Sequence, residues 1–562
     1  MNPTTTSSAM LPDDALAAFA GAVADLVAAR YPDAPAVTVA FEAPRRPEFG
    51  DFATNVAFSL AKVARRSPND VAANLVSDLR EHAPNVAALF TAIDAVAGFI
   101  NVRLAPVVWQ TQIATILREG TNFGRRASNG TRISLEFGSA NPTGPLVVVQ
   151  GRTLSIGGTL ANALRYCGYD VFVEWIINDA GSQMDTLGRS LYARYLQHFD
   201  PSHPFPEEGY PGEYLLPIAQ RIVARDGERW RDADESVWLP YFATFGRDTL
   251  VAEQQETAKR FGVAYDLWQS ERELHESGKV LADIERLREL GHTYESENAL
   301  FFRASEFGDD KDRVIIRSDG RPTYYGADIA YHYEKLKRAN RVIDILGPDH
   351  HGYINRLKGL AEALGYPGAL DVLIAQQITL MRGTEQVSMS KRAGNIITLD
   401  DILDEVGVDA ARFFFVMLAT DSPLTFDLKL AVEASSENPV YYVQYGHARI
   451  ASVLRNADAA DVEAARGGDA LPRLQEAAEL ALARRLGELP RVVQGVADHL
   501  APHRLAKYAR DVASDFHQFY TECKILVDDA AQRRARLALC LATKSVLAQV
   551  LDLIGVSAPE TM

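Results

Sequence analysis

The sequence predicts an α/β plus all-α protein: an N-terminal α+β module, a parallel-sheet domain carrying an insertion, and a C-terminal helical bundle. Three observations predict it. Between residues 132 and 180 the order is strand, turn, helix, strand, which is the βαβ unit of a parallel sheet. Val342-Ile343-Asp344-Ile345-Leu346 reads as a strand buried on both faces. After about residue 400 strand patterns give way to apolar residues at helical spacing. At 562 residues the chain is too long for one core, and three or four domains are expected.

Residues 1–10 are polar, lack the basic-then-apolar order of a signal peptide, and read as a disordered tail. In the module spanning 11–118, Leu16, Phe19, Val23, Leu26 and Val27 repeat at helical spacing after an Asp13/Asp14 start signal. Further helices are expected around 53–64 and 70–80, and Gly98–Leu104 alternates as a strand. A polar linker, Glu119–Thr131, ends the module. The parallel-sheet domain covers 132–400, with strands at Ile133–Phe137 and Asp170–Ile177 and a helix from Thr153 to Cys167. An insertion occupies about 184–295, and the sheet is expected to resume with Asn298–Arg303, Arg313–Ile316 and Val342–Leu346. The last strand ends in Gly347, where a doubly wound sheet places its ligand crevice. Residues 401–562 form the bundle, with Asn456–Leu471 read as an acidic loop.

Composition narrows the function classes. The chain is 47% apolar and 23% charged, an ordinary globular balance. No apolar run approaches a membrane span, so no membrane partner is expected. Cys167, Cys523 and Cys540 are far apart and offer no metal-ligand spacing, which predicts no structural metal and fits a reducing cytoplasm. A net charge of −16 disfavours nucleic acid unless a local basic face exists. Arg533, Arg534 and Arg536, and Arg125 with Arg126, are the candidates for one.

Several stretches carry chemistry. Ser139–Arg152, S-A-N-P-T-G-P-L-V-V-V-Q-G-R, links a strand to a helix N-terminus, where backbone N–H groups and the helix dipole favour a phosphate. Asn141 offers an amide to a polar substrate group, and Gly144 allows close backbone approach. In Ser388-Met389-Ser390-Lys391-Arg392-Ala393-Gly394, the Lys391 ammonium can neutralise charge on a departing pyrophosphate. Asp349, in Gly347-Pro348-Asp349-His350-His351-Gly352, can accept hydrogen bonds from ribose hydroxyls. The Asp-His-His triplet invites a metal reading, but adjacent side chains diverge and no third ligand stands at suitable spacing. Tyr324 and Asp328, four residues apart, share one helix face.

These stretches resemble the class I aminoacyl-tRNA synthetases in the form used by arginyl-tRNA synthetases. That family usually reads S-A-N-P-T-G-P-L-H-V-G-H-G-R at the turn; here Val147 and Gln150 replace both histidines. Its K-M-S-K-S loop has Ser388 in place of the first lysine. Asn178-Asp179-Ala180-Gly181-Ser182-Gln183 is similar to its N-D-A-G-x-Q loop, and Glu437–Arg449 to a helix at the base of its anticodon-binding domain. Gly98-Phe99-Ile100-Asn101 resembles its strand that reads the D-loop of tRNA.

The resemblance implies a Rossmann-like catalytic domain and a monomeric ligase that activates L-arginine with ATP and Mg²⁺ and transfers it to tRNA(Arg). Asn141, Gln150 and Lys391 are the implied catalytic residues. Around ATP it implies Pro142, Gly144, Val147, Gln150, Gly347, Asp349, His350, Ser390 and Lys391. Around arginine it implies Asn141, Glu271, Tyr324 and Asp328, since a desolvated guanidinium needs paired carboxylates. On tRNA it implies Phe99, Asn101, Tyr441, Gln444, Arg449 and Met562. Losing one transition-state donor costs on the order of 3 kcal/mol, or ~10²-fold in rate. The valines donate nothing through their side chains; Gln150 keeps an amide donor, and Arg152 is expected to add charge. Two other readings stand beside a working ligase: a non-catalytic or repurposed tRNA-binding paralogue, and an ATP-dependent ligase that adenylates another small cation without tRNA.

Overall fold

The computed structural model describes Met10 to Met562 except residues 33, 43, 45 and 388–396; the tail expected at 1–10 lies outside the described residues save Met10. The N-terminal module packs helices Pro12–Arg30, Val56–Ala64 and Pro68–His82 on a three-stranded antiparallel sheet. The strands β1 (Phe52–Thr54), β2 (Phe90–Val96) and β3 (Phe99–Leu104) run in the order β1-β3-β2. Phe19 fills its core edge-on against Phe90, with ring centroids 5.3 Å apart.

The central domain is built on β4 (Arg132–Phe137), β5 (Asp170–Ile177) and β6 (Leu267–Ser270). After a small antiparallel sheet of β7 (Thr293–Ser296), β8 (Ala299–Phe302) and β9 (Arg313–Ile316), it continues with β10 (Arg341–Leu346) and β11 (Leu370–Ile374). The main sheet has the order β11-β10-β4-β5-β6 and every pair is parallel. The expected return of the sheet at 298–316 is therefore corrected. Those residues form the separate sheet, whereas the expected strand at Val342–Leu346 does join the main one as β10; the main sheet also takes in β6, which at four residues is too short to announce itself by pattern. A last small sheet joins β12 (Ile378–Arg382), β13 (Glu385–Gln386) and β14 (Leu424–Asp427).

The helix after β4 runs Val148–Tyr166, five residues earlier than its expected start at Thr153. Three consecutive valines favour extended backbone, but Val147 takes the extended N-cap conformation and Gln150 reaches back to accept from its N–H at 3.2 Å. The valines thus form the first turn. In the bundle, the stretch read as a loop contains the helix Ala459–Arg466, capped by the Asp458 carboxylate. Helix Ala530–Ile554 is the one described helix long and apolar enough to cross a membrane, and 78% of its apolar window is buried inside the molecule. Its apolar side chains form the bundle core, as Leu539, Val546 and Val550 show at 0% exposure.

Register places three acids in one row across the centre of the main sheet. Asp344 on β10 is opposite Glu136 on β4, which is opposite Glu174 on β5. All three are buried, and helix Tyr324–Arg338 answers them with bases one turn apart. His332 Nε2 lies 3.0 Å from Asp344. Lys335, fully buried, donates to Asp344 at 2.6 Å and also to Glu136. Arg338 donates to Glu174 at 2.6 Å. Lys335→Met should leave buried Glu136 without its cation and Asp344 with His332 alone, and cost on the order of 3–5 kcal/mol. Thermal melts should show a deficit that narrows as acid protonates those groups.

Candidate active site

A cavity of about 640 Å³ opens at the carboxyl ends of β4, β5 and β10, where the strand order reverses direction from β4. Asn141, Gln150, Glu271, Tyr324, Asp328, Gly347, Asp349 and His350 all line it. Ser390 and Lys391 lie outside the described residues. Pro142, Gly144 and Val147 flank the turn without lining the cavity; a Cβ on Gly144 would meet the Tyr214 ring at 3.5 Å.

The turn is held from two sides. Ser139 Oγ donates to Glu136 at 2.8 Å and accepts from the Ile176 N–H at 3.1 Å. Asn178 Nδ2 donates to Asn141 Oδ1 at 3.1 Å. Gln150 Oε1 is engaged by the Val147 N–H, which leaves the amide nitrogen as the group able to donate. Arg152 is corrected: it is fully buried and gives its guanidinium to the carbonyls of Gln376, Gln377, Ala419 and Ser422. It anchors chain segments and supplies no charge to the cavity.

Opposite the turn, Glu271 and Asp328 form an acidic wall. Glu271 begins the helix Glu271–Glu276 after the Ser270 N-cap. That junction is fixed by buried Asp179, which accepts from Ser270 Oγ at 2.9 Å, the Arg272 N–H at 3.0 Å and Arg247 at 2.7 Å. Burial, then the nearby Asp328 and Asp179 charges, push the Glu271 carboxyl up to about 7. Asp328 is also raised, first by enclosure and then by Glu136, while His332 and Arg356 pull it back. Tyr324 starts the helix that carries Asp328 and is 60% exposed at the rim. Its hydroxyl lies over Gly181, where φ is +84° and a Cβ would approach Oη to 2.6 Å; space and backbone both demand glycine there.

Sequence reasoning missed Glu136, Ser139, Asn178 and Gln183, which also line the cavity. Glu136 carried a signal, the one acid in the strand Arg132–Phe137. Among the described residues no group of three His, Cys, Asp or Glu is arranged to hold a metal ion.

The surfaces expected to meet tRNA divide. Tyr441, Tyr445 and Arg449 share one face of helix Pro439–Asn456. The two tyrosine rings stack at 6.0 Å, and the Arg449 guanidinium lies 4.3 Å from the Tyr520 ring. Tyr445, missed earlier, was visible as the residue four positions after Tyr441. Gln444 is corrected: it is buried, and Nε2 donates to Asp409 at 2.8 Å and to the Ser557 carbonyl at 3.0 Å. Met562 is 55% exposed. Phe99 packs on the exposed Phe58 at 5.1 Å, and Asn101 is nearly covered on the central strand β3. The arginine cluster near the C-terminus is tied into ion pairs, Arg533 and Arg534 sharing Asp461 and Arg536 pairing with Glu479.

A parallel sheet with a cavity at its strand ends, a turn at a helix N-terminus and a helical C-terminal domain are the architecture of a class I aminoacyl-tRNA synthetase. Comparison with known proteins agrees. The model for the arginyl tRNA synthetase N terminal domain matches residues 14–104. The model for the class I (R) tRNA synthetase catalytic domain matches 241–420, and that for the DALR anticodon binding domain matches 443–562. The arginine–tRNA ligase of Moorella thermoacetica is 45% identical over 525 residues, 93% of each chain. That of Syntrophotalea carbinolica is 43% identical over 93% of this chain and 94% of its own. The chain belongs to the arginyl-tRNA synthetase family. Its fold superimposes on Thermus thermophilus arginyl-tRNA synthetase with a TM-score of 0.75, at 21% identity, covering 97% of this chain and 100% of that one.

Because Gln444 is a tie between Asp409 and the C-terminal segment, Gln444→Ala should destabilise the bundle by about 1–2 kcal/mol. Denaturant unfolding checks this, with tRNA affinity of the folded protein expected to be unchanged.

Proposed function

We propose that this chain ligates L-arginine to tRNA(Arg) in two steps, acting as a monomer in the cytoplasm. The arginine carboxylate attacks the α-phosphate of ATP, forming arginyl-adenylate and releasing pyrophosphate. The terminal ribose hydroxyl of the tRNA then attacks the adenylate carbonyl and AMP departs. Such chemistry rests on positioning and charge stabilisation rather than on a covalent enzyme intermediate. The observation that carries the reading is the acidic wall. Glu271 and Asp328, both held above the ordinary carboxylate range, can each recover an ionised state by pairing with a guanidinium that never deprotonates.

In this reading Asn141 orients the substrate amino acid, Tyr324 covers the guanidinium from the rim, and Asp349 with His350 receives the adenosine side. Gln150 is the replacement donor at the phosphates, supported by its cavity position and the fixed direction of its amide. Lys391 supplies the loop cation. Mg²⁺ would arrive with ATP. Phe99, Asn101, Tyr441, Arg449 and Met562 are proposed to face tRNA, with Tyr445 added as a base-stacking platform.

The direct test is aminoacylation with arginine, ATP and cognate tRNA beside a control synthetase; no arginyl-tRNA would sink the proposal. Gln150→Ala should lower kcat of pyrophosphate exchange by about 10²-fold, the cost of one lost donor, while Gln150→His should leave it near the parent value. The arginine KM should depend on pH. Arginine needs ionised Glu271, so below a pH of about 7 a proton competes, and KM should rise as pH falls, by up to ~10-fold per unit. Glu271→Gln should raise KM at neutral pH and flatten that profile.

A further inference from the structure

The inserted helical segment reaches back onto the turn at three carbonyls, those of Asn141, Thr143 and Gly144, through residues that the family signature does not include. Helix Glu235–Arg260 carries Gln254, 1% exposed. Its Nε2 donates to the carbonyls of Asn141 at 3.1 Å and Gly144 at 2.9 Å, one hydrogen to each. Tyr214, from the loop before helix Leu215–Asp226, donates its hydroxyl to the Thr143 carbonyl at 2.6 Å. Burial pushes the Tyr214 phenol up, so it stays a donor. Gln254 Oε1 is buried and has no hydrogen-bond partner among the described residues. The opposite amide orientation would face an oxygen against two carbonyl oxygens, so the donor arrangement persists despite the unsatisfied acceptor.

We infer that Gln254 and Tyr214 are positioning residues for adenylate formation, fixing the turn whose backbone carries Asn141 and leads into the phosphate-facing helix. Pro142 and Pro145 have no N–H. Of the peptides following Asn141, Thr143 and Gly144, only the one between Thr143 and Gly144 holds a donor. Pinning its oxygen on Tyr214 sets the direction of the Gly144 N–H. The same helix also steadies the segment after residues 388–396: Thr257 donates to Asp400 at 2.6 Å and Arg260 at 2.8 Å. That segment in turn pairs with the turn, the Leu399 N–H donating to the Leu146 carbonyl at 2.7 Å. One helix therefore holds both the turn and the start of the segment at Leu399 and Asp400. A turn without side-chain imidazoles depends on backbone placement, and misplacement by about 1 Å can cost ~10²-fold in rate.

The test compares Gln254→Met, which keeps length and removes the donor, with Tyr214→Phe, which removes only a hydroxyl. Pyrophosphate exchange and equilibrium arginine binding are measured on folded protein, with thermal melting as control. Each variant should lose about 10-fold or more in kcat, with arginine affinity falling by less than kcat, because the Glu271 and Asp328 carboxylates that would grip the guanidinium are not on the turn. The double variant should fall well short of the product of the single losses, as residues acting as a unit do. Unchanged kcat in folded variants, or a loss of activity that tracks only the unfolded fraction, overturns the inference. So does arginine affinity falling in step with kcat.

Discussion

The structure depends on one electrostatic constraint, the row formed by Asp344, Glu136 and Glu174 across three adjacent parallel strands. Three neighbouring carboxylates in a sheet interior would not coexist ionised, because desolvation and mutual repulsion both oppose charge. Helix Tyr324–Arg338 solves this with His332, Lys335 and Arg338 on one face. Both ring nitrogens of His332 face acceptors, the Asp328 carbonyl and the Asp344 carboxylate, so the ring donates twice and its pKa is raised. Lys335 is likewise raised and Asp344 lowered. The helix can dock in only one axial position, since sliding by a residue would separate every base from its acid. That position puts Tyr324 and Asp328, at the helix start, over the cavity. The substrate wall is thus a consequence of charge matching one and two turns further along.

How much of this could be read beforehand follows from where the partners lie. The β4–turn–helix–β5 unit was readable because its signals are local: buried strand runs, a Pro/Gly turn, apolar spacing. The helix start at Val148 is not legible as a pattern, because it depends on the cap that Gln150 supplies. No local signal marks Lys335, since its partner Glu136 lies 199 positions away. Gln444 and Arg152 failed in the same manner. Each sits in a family-like stretch, and each is occupied by carbonyls or carboxylates from distant segments. Glu271 and Asp328 were found because the resemblance supplied their pairing; no spacing in the chain connects residues 57 apart. Tyr445 was missed although its signal, the fourth residue after Tyr441, was local.

The basic clusters teach a related lesson about charge. Arg533, Arg534 and Arg536 sit within four residues, yet Asp461 and Glu479 take all three. They hold the helix Ala459–Arg466 and its neighbours on the last helix of the bundle. Counting arginines along the chain overstates the positive surface. The cations and aromatics that remain available are dispersed singly, as at Arg449 beside Tyr445 and Tyr520. An acidic protein can engage polyanions through such points because recognition of unpaired bases relies on stacking and shape more than on net charge.

The same accounting, applied to the cavity, bears on the arginine specificity proposed above. Below the cavity every acid of the sheet row has a base. Glu271 and Asp328 have none of comparable strength: the nearest cations are His275, 4.0 Å from Glu271 and shifted toward its neutral form, and Arg356 and His332, which only partly offset the rise at Asp328. An empty site therefore holds both carboxyls above their ordinary range, Glu271 at about 7. A neutral side chain entering it would leave that imbalance in place and desolvate it further. A lysine would deliver one compact, strongly hydrated charge that must shed its water to reach two acids at once. A guanidinium is less hydrated and presents its donors in a planar fork able to serve two carboxylates. On the proposed function, selection for arginine follows from an unbalanced pair of acids at the end of a balanced row.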